Sequence, residues 1–151
     1  MPTKLHSPDV YVMDTGTRKG RGVFAARPFM AEELVELCPV ILIPNPKSLV
    51  SPPPQIKVDF IRTMKLILFN WSGLTRTSGK ALALGYGSLY NSANPANVRY
   101  EADPTLPALR FIAHRDIAAD EELTINYSGI EGGVESPDYH WFTEMEIEPI
   151  P

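Results

Sequence analysis

Apolar and polar residues alternate along several short segments of the chain, with the two-residue period of strands that are buried on one face. In the N-terminal part this pattern predicts one strand over Val10–Met13 and another over Gly22–Phe29. The segment Leu34–Ile43 is instead a nearly continuous apolar run between turn signals. Such a run indicates a strand that is buried on both faces.

The C-terminal half shows the same strand period. Leu109–His114 alternates moderately well, and Leu123–Tyr127 alternates cleanly. Ala81–Leu84 leads into a glycine-rich turn, Gly85–Gly87. Because a serine and a glycine follow Tyr127, we expect this tyrosine at the C-terminal end of its strand.

One segment between these strands has a helical period. Apolar side chains recur at three- and four-residue steps over Gln55–Trp71, and Gly73 is expected to end the helix. Prolines at positions 44, 46 and 52–54 separate it from the preceding strand. The apolar stripe consists of Phe60, Ile61, Met64, Ile67, Leu68 and Trp71. The whole pattern predicts a mainly β domain with one inserted helical segment.

The composition limits the class of protein. The 15 prolines among 151 residues are about twice the usual share and favour many short elements. The lone Cys38 excludes an internal disulfide and a multi-cysteine zinc cluster, and its apolar neighbours predict a buried, unreactive thiol. The sequence shows neither a signal-peptide core nor an apolar run of about 18 residues. We therefore expect a soluble, cytoplasmic protein without membrane association.

The net charge of −4 is unevenly distributed. Residues 131–151 contain six acidic residues and no Lys or Arg, which leaves 14 basic and 12 acidic residues in the first 130. The acidic run is either a solvated tail or a rim that attracts a basic peptide. Neither part has the dense basic stripe of a nucleic-acid binder, so no nucleic-acid partner is expected.

No single motif identifies the chemistry. Gly20-Arg21-Gly22 is too short for a dinucleotide-binding fingerprint, because the third glycine and the following helix are absent. The sequence contains no Gly-x-Ser-x-Gly elbow and no phosphate-binding loop, which disfavours a hydrolase or a nucleoside triphosphatase. The histidines, which lack the spacing of a metal site, are His6, His114 and His140.

Taken together and in order, four blocks of the sequence resemble the SET-domain family, in particular its compact, cysteine-poor bacterial and viral members. Trp141-Phe142 is similar to the aromatic pair that replaces the cysteine-rich tail in small members. The four blocks are Lys19–Ala25, Glu36–Val40, Gly85–Asn91 continuing to Tyr100, and Glu122–Tyr127.

The resemblance implies a single SET domain over residues 1–151, with a core at about 10–128. It places an inserted helical segment at about 45–80 and an aromatic C-terminal tail at 129–151. The family fold, a β-clip, has small curved sheets and a C-terminal segment threaded beneath a preceding loop as a pseudoknot. Threading is rare among proteins, and here it would bring Asn91 and Tyr127 together.

The resemblance also implies an enzyme that methylates a protein lysine with S-adenosylmethionine, leaves S-adenosylhomocysteine and needs no metal. Tyr127 matches the catalytic tyrosine of the family. The acceptor must be a neutral amine, and burial in a dry aromatic channel lowers the lysine pKa from its reference value near 10.4. The residues implied to bind the cofactor are Lys19, Gly20, Arg21, Gly22, Ser88, Leu89, Asn91, Ser92 and Trp141. Those implied to bind the substrate lysine are Tyr100, Tyr127, Trp141 and Phe142.

Some positions depart from the family pattern. Ser92 replaces a histidine, and Pro95 comes one position early. Asp120, Asn126 and Ser128 stand where glycine, aspartate and glycine are frequent. Two alternatives remain: an active methyltransferase, and a catalytically weak or inactive SET-like module that binds peptides. The expected partner is a basic protein, histone-like or ribosomal, and a homodimer stays an open alternative.

Overall fold

Short strands form most of the structure, a computed structural model that describes residues 7–43, 66–75 and 79–149. Two short α-helices lie within these ranges, α1 (Trp71–Leu74) and α2 (His140–Met145). The strands are β1 (Val10–Asp14), β2 (Arg21–Ala25), β3 (Leu34–Ile43), β4 (Leu68–Phe69), β5 (Lys80–Ala83), β6 (Asn91–Ser92), β7 (Val98–Ala102), β8 (Ala108–Ala113) and β9 (Glu122–Ile125).

The first sheet has four strands in the order β1-β2-β9-β6. β2 pairs antiparallel with β1 and with β9, whereas β6 and β9 are parallel. β2 ends at Ala25, so the predicted continuation to Phe29 is wrong. The backbone bends at Ala26 and Arg27, Pro28 has no N–H to donate to a ladder, and Phe29 forms only an isolated bridge with Ile117.

The second sheet has five strands in the order β4-β5-β3-β8-β7. The predicted bounds of β3 are confirmed, and it pairs with β8 in its first half and with β5 in its second. The predicted burial on both faces of β3 is confirmed only for residues 35–40. Ile41 and Leu42, which pair with the short strand β5, are 52% and 45% exposed, so the prediction is wrong for this end of the strand.

Residues 55–65 of the predicted helix lie outside the described part of the chain, and residues 66 and 67 are helical, as predicted. Its C-terminal end is wrong, because Leu68 and Phe69 form strand β4 and pair with Leu82 and Ala81 of β5. The Phe69 ring packs edge-on against two other aromatic rings, which fixes this pairing. A separate helix, α1, begins at Trp71 and passes Gly73 instead of ending there.

The core lies between the two sheets. Its fully buried members come from both, among them Val23 and Leu123 of the first sheet and Leu109 and Phe111 of the second. The predicted burial of Cys38 is confirmed, and this burial raises the pKa of its thiol, which agrees with an unreactive cysteine. In the described ranges, no helix has the length and apolar character needed to cross a membrane.

Candidate functional site

The four-stranded sheet brings together three segments that are far apart in sequence. Because β6 runs parallel to β9, Asn91 pairs with Thr124 and Ser92 with Ile125. On its other side β9 pairs with β2, which begins directly after Gly20. Tyr127 follows the end of β9 by two residues. The Gly20 turn, Asn91 and Tyr127 therefore meet around β9, and we call this region the β9 site.

The two glycines of the turn have different surroundings. Gly20 has φ of +73°, and a Cβ added there would meet nothing within 4 Å. Its carbonyl accepts hydrogen bonds from the backbone N–H and the hydroxyl of Thr15, both at 2.8 Å. At Gly22, by contrast, an added Cβ would lie 2.5 Å from Glu122 Oε1 and 3.1 Å from Asn91 Nδ2. A ligand could approach the backbone at Gly20, whereas protein atoms fill the space at Gly22.

The carboxamide of Asn91 has a defined orientation. Its Nδ2 donates to the carbonyl of Arg21 at 3.0 Å and to Glu122 Oε1 at 2.8 Å. A primary amide nitrogen has two hydrogens, so these two bonds use both of them. The remaining polar atom, Oδ1, is an acceptor, and the side chain is only partly buried.

The side chain of Tyr127 is held at both ends. Its hydroxyl donates to the carbonyl of Tyr90 at 2.7 Å, and its backbone N–H donates to the hydroxyl of Ser92 at 3.2 Å. Burial, and to a smaller extent the charge of Glu122, raises the pKa of Tyr127 to about 12. The phenol is therefore protonated near neutral pH, so it cannot act there as a general base.

An aromatic cluster surrounds Tyr127. Its ring lies edge-on to Trp141 with centroids 4.7 Å apart and is stacked on Phe142 at 5.9 Å. Both partners belong to α2, and the backbone N–H of Trp141 donates to the hydroxyl of Ser128 at 3.2 Å. The three rings are all half-buried and pack against one another. We refer to Tyr127, Trp141 and Phe142 as the aromatic cluster.

Tyr100 is not part of this aromatic cluster. Its ring contacts Phe69 at 5.1 Å and Phe111 at 5.8 Å, in the core beside the second sheet. Burial raises its pKa to about 12. Both its backbone carbonyl and its ring pack against Gly132, which lies in the loop after Tyr127.

Other residues implied by the resemblance have local structural partners. The hydroxyl of Ser88 donates to the carbonyl of Ile67 at 3.0 Å, and Leu89 packs against the core. The backbone N–H of Lys19 donates to Thr17 within the glycine turn. These side chains do not join Asn91 and Tyr127 through any hydrogen bond that the described residues form.

The polar residues that depart from the family pattern all form hydrogen bonds in this structure. Asp120 adopts φ of +65° and accepts a hydrogen bond from the Tyr11 hydroxyl at 2.9 Å. Ser92 and Ser128 accept the N–H groups of Tyr127 and Trp141, as described above. The amide of Asn126 donates to the hydroxyl of Ser136 at 3.0 Å and to the carbonyl of residue 134 at 3.3 Å.

Two carboxylates near the site were not predicted from the sequence. Glu122 bonds to Asn91, as described above. Glu36 is buried, and its oxygens accept from the hydroxyl of Tyr90 at 2.7 Å and from the N–H of Tyr86 at 2.9 Å. Glu36 thereby fixes Tyr90, whose carbonyl accepts the Tyr127 hydroxyl. A charged residue in the middle of the apolar run Leu34–Ile43 was the available signal for Glu36.

The fold and the site together define the class of protein. Two small β-sheets bring a glycine turn, Asn91 of β6 and Tyr127, just after β9, to one place, and this arrangement is that of a SET domain. The SET domain family matches residues 20–128, and the chain belongs to this family. It is accordingly a protein-lysine methyltransferase that uses S-adenosylmethionine. The bacterial or viral subtype and the threaded C-terminal segment stay predictions.

Among individual relatives, the chain is 29% identical over 128 residues to a histone-lysine N-methyltransferase specific for H3 lysine 37 from Schizosaccharomyces pombe. The match covers 84% of this chain and 73% of the relative. A solved structure from Plasmodium falciparum, described as a histone methyltransferase, has a TM-score of 0.57 at 26% identity and covers 81% of this chain and 95% of its own. CpSET8 from Cryptosporidium shares the fold, with a TM-score of 0.54 at 16% identity over 87% of this chain and 60% of its own.

Proposed function

We propose that S-adenosylmethionine and the target lysine meet at the β9 site, with the hydroxyl of Tyr127 beside the transferred methyl group. The single observation that carries this proposal is the parallel pairing of β6 with β9. This pairing sets Asn91 next to the strand that leads directly to Tyr127.

The residues at the β9 site fit the amino-acid end of this cofactor. Asn91 Oδ1 is an acceptor with no donor among the described residues, and the backbone at Gly20 is open to close approach. Acceptors of this kind suit an ammonium group. When bound, S-adenosylmethionine supplies an electrophilic methyl group on a sulfonium.

Tyr127 would orient the lysine amine. Its O–H donates a hydrogen bond to the Tyr90 carbonyl at 2.7 Å. The phenol oxygen therefore keeps lone pairs that can accept a hydrogen bond from an N–H of the amine. Such a bond directs the nitrogen lone pair toward the methyl group, and correct orientation is worth a large part of the barrier in a two-body reaction. The aromatic cluster would exclude water, favour the neutral amine and bind the apolar lysine stem.

The substrate that we propose is a lysine in a basic protein segment of the histone type. The acidic residues of the C-terminal run, the same run that contains Trp141 and Phe142, are all exposed: Glu131, Glu135, Asp138, Glu144, Glu146 and Glu148. This distribution of charge attracts cationic segments. The relative from Schizosaccharomyces pombe is a histone-lysine N-methyltransferase, which adds support for this choice. Ribosomal proteins, the oligomeric state and the cytoplasmic location stay predictions.

The test is methyl transfer from labelled S-adenosylmethionine to core histones and, separately, to ribosomal proteins. Tyr127→Phe removes only the hydroxyl, so we expect kcat to fall about 10²-fold while S-adenosylhomocysteine binds as before. The matched control is Tyr11→Phe, because the hydroxyl of Tyr11 bonds to Asp120 at the exposed edge of the same sheet. Unchanged kcat in Tyr127→Phe would refute the role of this hydroxyl. Cofactor binding without methylation of any substrate would favour the inactive peptide-binding module.

A further inference from the structure

The orientation of the Asn91 carboxamide decides what this residue can offer a ligand. Both of its hydrogens go to protein acceptors, the carbonyl of Arg21 and Oε1 of Glu122. If the amide were turned over, its oxygen would face these two acceptors and both bonds would be lost. The protein therefore leaves Asn91 Oδ1, and not Nδ2, without a partner among the described residues and so available to a ligand.

Glu122 reaches Asn91 because position 22 has no side chain. Glu122 pairs with Phe24 across β2 and β9, and Gly22 lies two residues from Phe24 on the same face of the sheet. A Cβ on Gly22 would be 2.5 Å from Glu122 Oε1 and so would displace the carboxylate. The backbone of Glu122 is held as well, since the side chain of Asn97 donates to its carbonyl at 2.8 Å.

We infer that Glu122 is a positioning residue that locks the carboxamide of Asn91 with its oxygen toward the ammonium group of the cofactor. This inference rests on the proposed function, and it assigns to Gly22 the task of leaving room for the Glu122 carboxylate. Glu122 acts through Asn91 and sets the affinity for the amino-acid end of the cofactor. Its effect therefore vanishes for a ligand that lacks this end.

The experiment measures the binding of two ligands by calorimetry, S-adenosylhomocysteine and methylthioadenosine, which keeps the nucleoside but has no amino-acid end. Glu122→Ala frees the amide to turn, so we expect S-adenosylhomocysteine to bind about tenfold more weakly. Methylthioadenosine should bind within about twofold of its wild-type affinity, which also shows that the variant is folded. Glu122→Gln keeps a carbonyl acceptor for Asn91, so its affinity should stay within about threefold of wild type.

A double-substitution cycle separates an effect through Asn91 from a direct one. We expect Glu122→Ala combined with Asn91→Ala to bind S-adenosylhomocysteine no more weakly than Asn91→Ala alone. Additive losses, or an equal loss in Glu122→Gln, would show that the charge of Glu122 acts on the ligand directly and would overturn the inference. If the wild-type chain binds S-adenosylhomocysteine but Glu122→Ala leaves the affinity unchanged, only the role of Glu122 fails. If the wild-type chain does not bind it, the proposed function fails first.

Discussion

Asn126 offers a demanding test of the structure, because the family-typical residue at this position should destabilise this chain. Asn126 is 1% exposed, and its Nδ2 donates to Ser136 Oγ at 3.0 Å and to the Val134 carbonyl at 3.3 Å. Its Oδ1 accepts the N–H of Ser128 at 2.9 Å. Asn126→Asp preserves the volume and the Oδ1 contact, but it replaces the amide donor with an acceptor that faces a carbonyl.

The magnitude follows from these contacts. The hydroxyl of Ser136 now donates to the Asp138 carbonyl at 2.7 Å, so it can turn to the introduced carboxyl only by losing that bond. The oxygen that faces Val134 finds no donor in the observed arrangement. A buried acceptor without a hydrogen-bond donor lowers the stability of the folded state by about 1–3 kcal/mol. We therefore expect the free energy of unfolding to fall by about 2 kcal/mol at pH 7, and the Tm by about 4–8 °C.

This loss should depend on pH. Burial opposite a carbonyl raises the folded-state pKa of the introduced carboxyl above its unfolded value near 3.9. Below the unfolded pKa the group is protonated in both states and can donate to the Val134 carbonyl, so the deficit relative to wild type is small there. The deficit grows as the pH rises through the folded-state pKa and is complete above it.

Thermal unfolding followed by circular dichroism between pH 4 and pH 8 measures both effects. The matched control is Asn70→Asp, because Asn70 is exposed and its Oδ1 accepts from Ser72 Oγ at 2.7 Å. A carboxylate keeps this bond, so the control should stay within about 0.5 kcal/mol of wild type. A variant Asn126→Asp that is as stable as wild type at pH 7 would show that the amide contacts of Asn126 are not as described.

Three further substitutions test the aromatic residues. Ser128→Ala leaves the backbone N–H of Trp141 without its acceptor, so we expect the free energy of unfolding to fall by about 1 kcal/mol. The tryptophan fluorescence should also change, because the contact of Trp141 with Tyr127 weakens, and an unchanged spectrum would contradict this. Tyr100→Phe should leave stability within about 0.5 kcal/mol of wild type, because the hydroxyl has no hydrogen bond among the described residues. Tyr100→Ala should cost about 3–5 kcal/mol in urea unfolding, because the ring packs against Phe69 and Phe111; equal costs for the two variants would refute this assignment.

Strand periodicity predicted the strands that have one apolar face. The alternation over 123–127 corresponds to β9, which ends at Ile125, and the segment over 109–114 corresponds to β8 shifted by one residue. Half-burial is wrong for β8, where every residue except Arg110 is buried. The short strands were missed because they contain too few residues for a period. β6 has two residues, both polar, and its pairing with β9 depends on chain segments that lie more than 30 residues apart.

The helical prediction failed at its C-terminal end for a different reason. Leu68 and Phe69 fit an apolar helical stripe, but pairing with β5 and contact of Phe69 with Phe111 override this local preference. A sequence period reports which side chains are apolar, and it does not report whether a neighbouring strand is available to pair.

The β9 site was only partly accessible from the sequence. Family resemblance supplied Asn91 and Tyr127, whereas the contact of Glu122 with Asn91 depends on β2 and β9 being neighbours. The same resemblance suggested that Tyr100 lines a channel; its half-buried ring packs against Phe69 and Phe111 at the edge of the core, and the channel role stays a prediction. Local pattern does not distinguish a tyrosine that is buried on one face of a strand from one that faces a ligand.

The parallel pairing of β6 with β9 has a consequence for how the chain folds. The residues of the β9 site and the aromatic cluster extend from Gly20 to Trp141, so a fragment that lacks either of these ends lacks part of the proposed site. Contacts between such distant segments form late in folding because their loops must close first. A nucleoside ligand that binds only the finished pocket would stabilise the folded state by mass action, and its binding would report that the whole chain has folded.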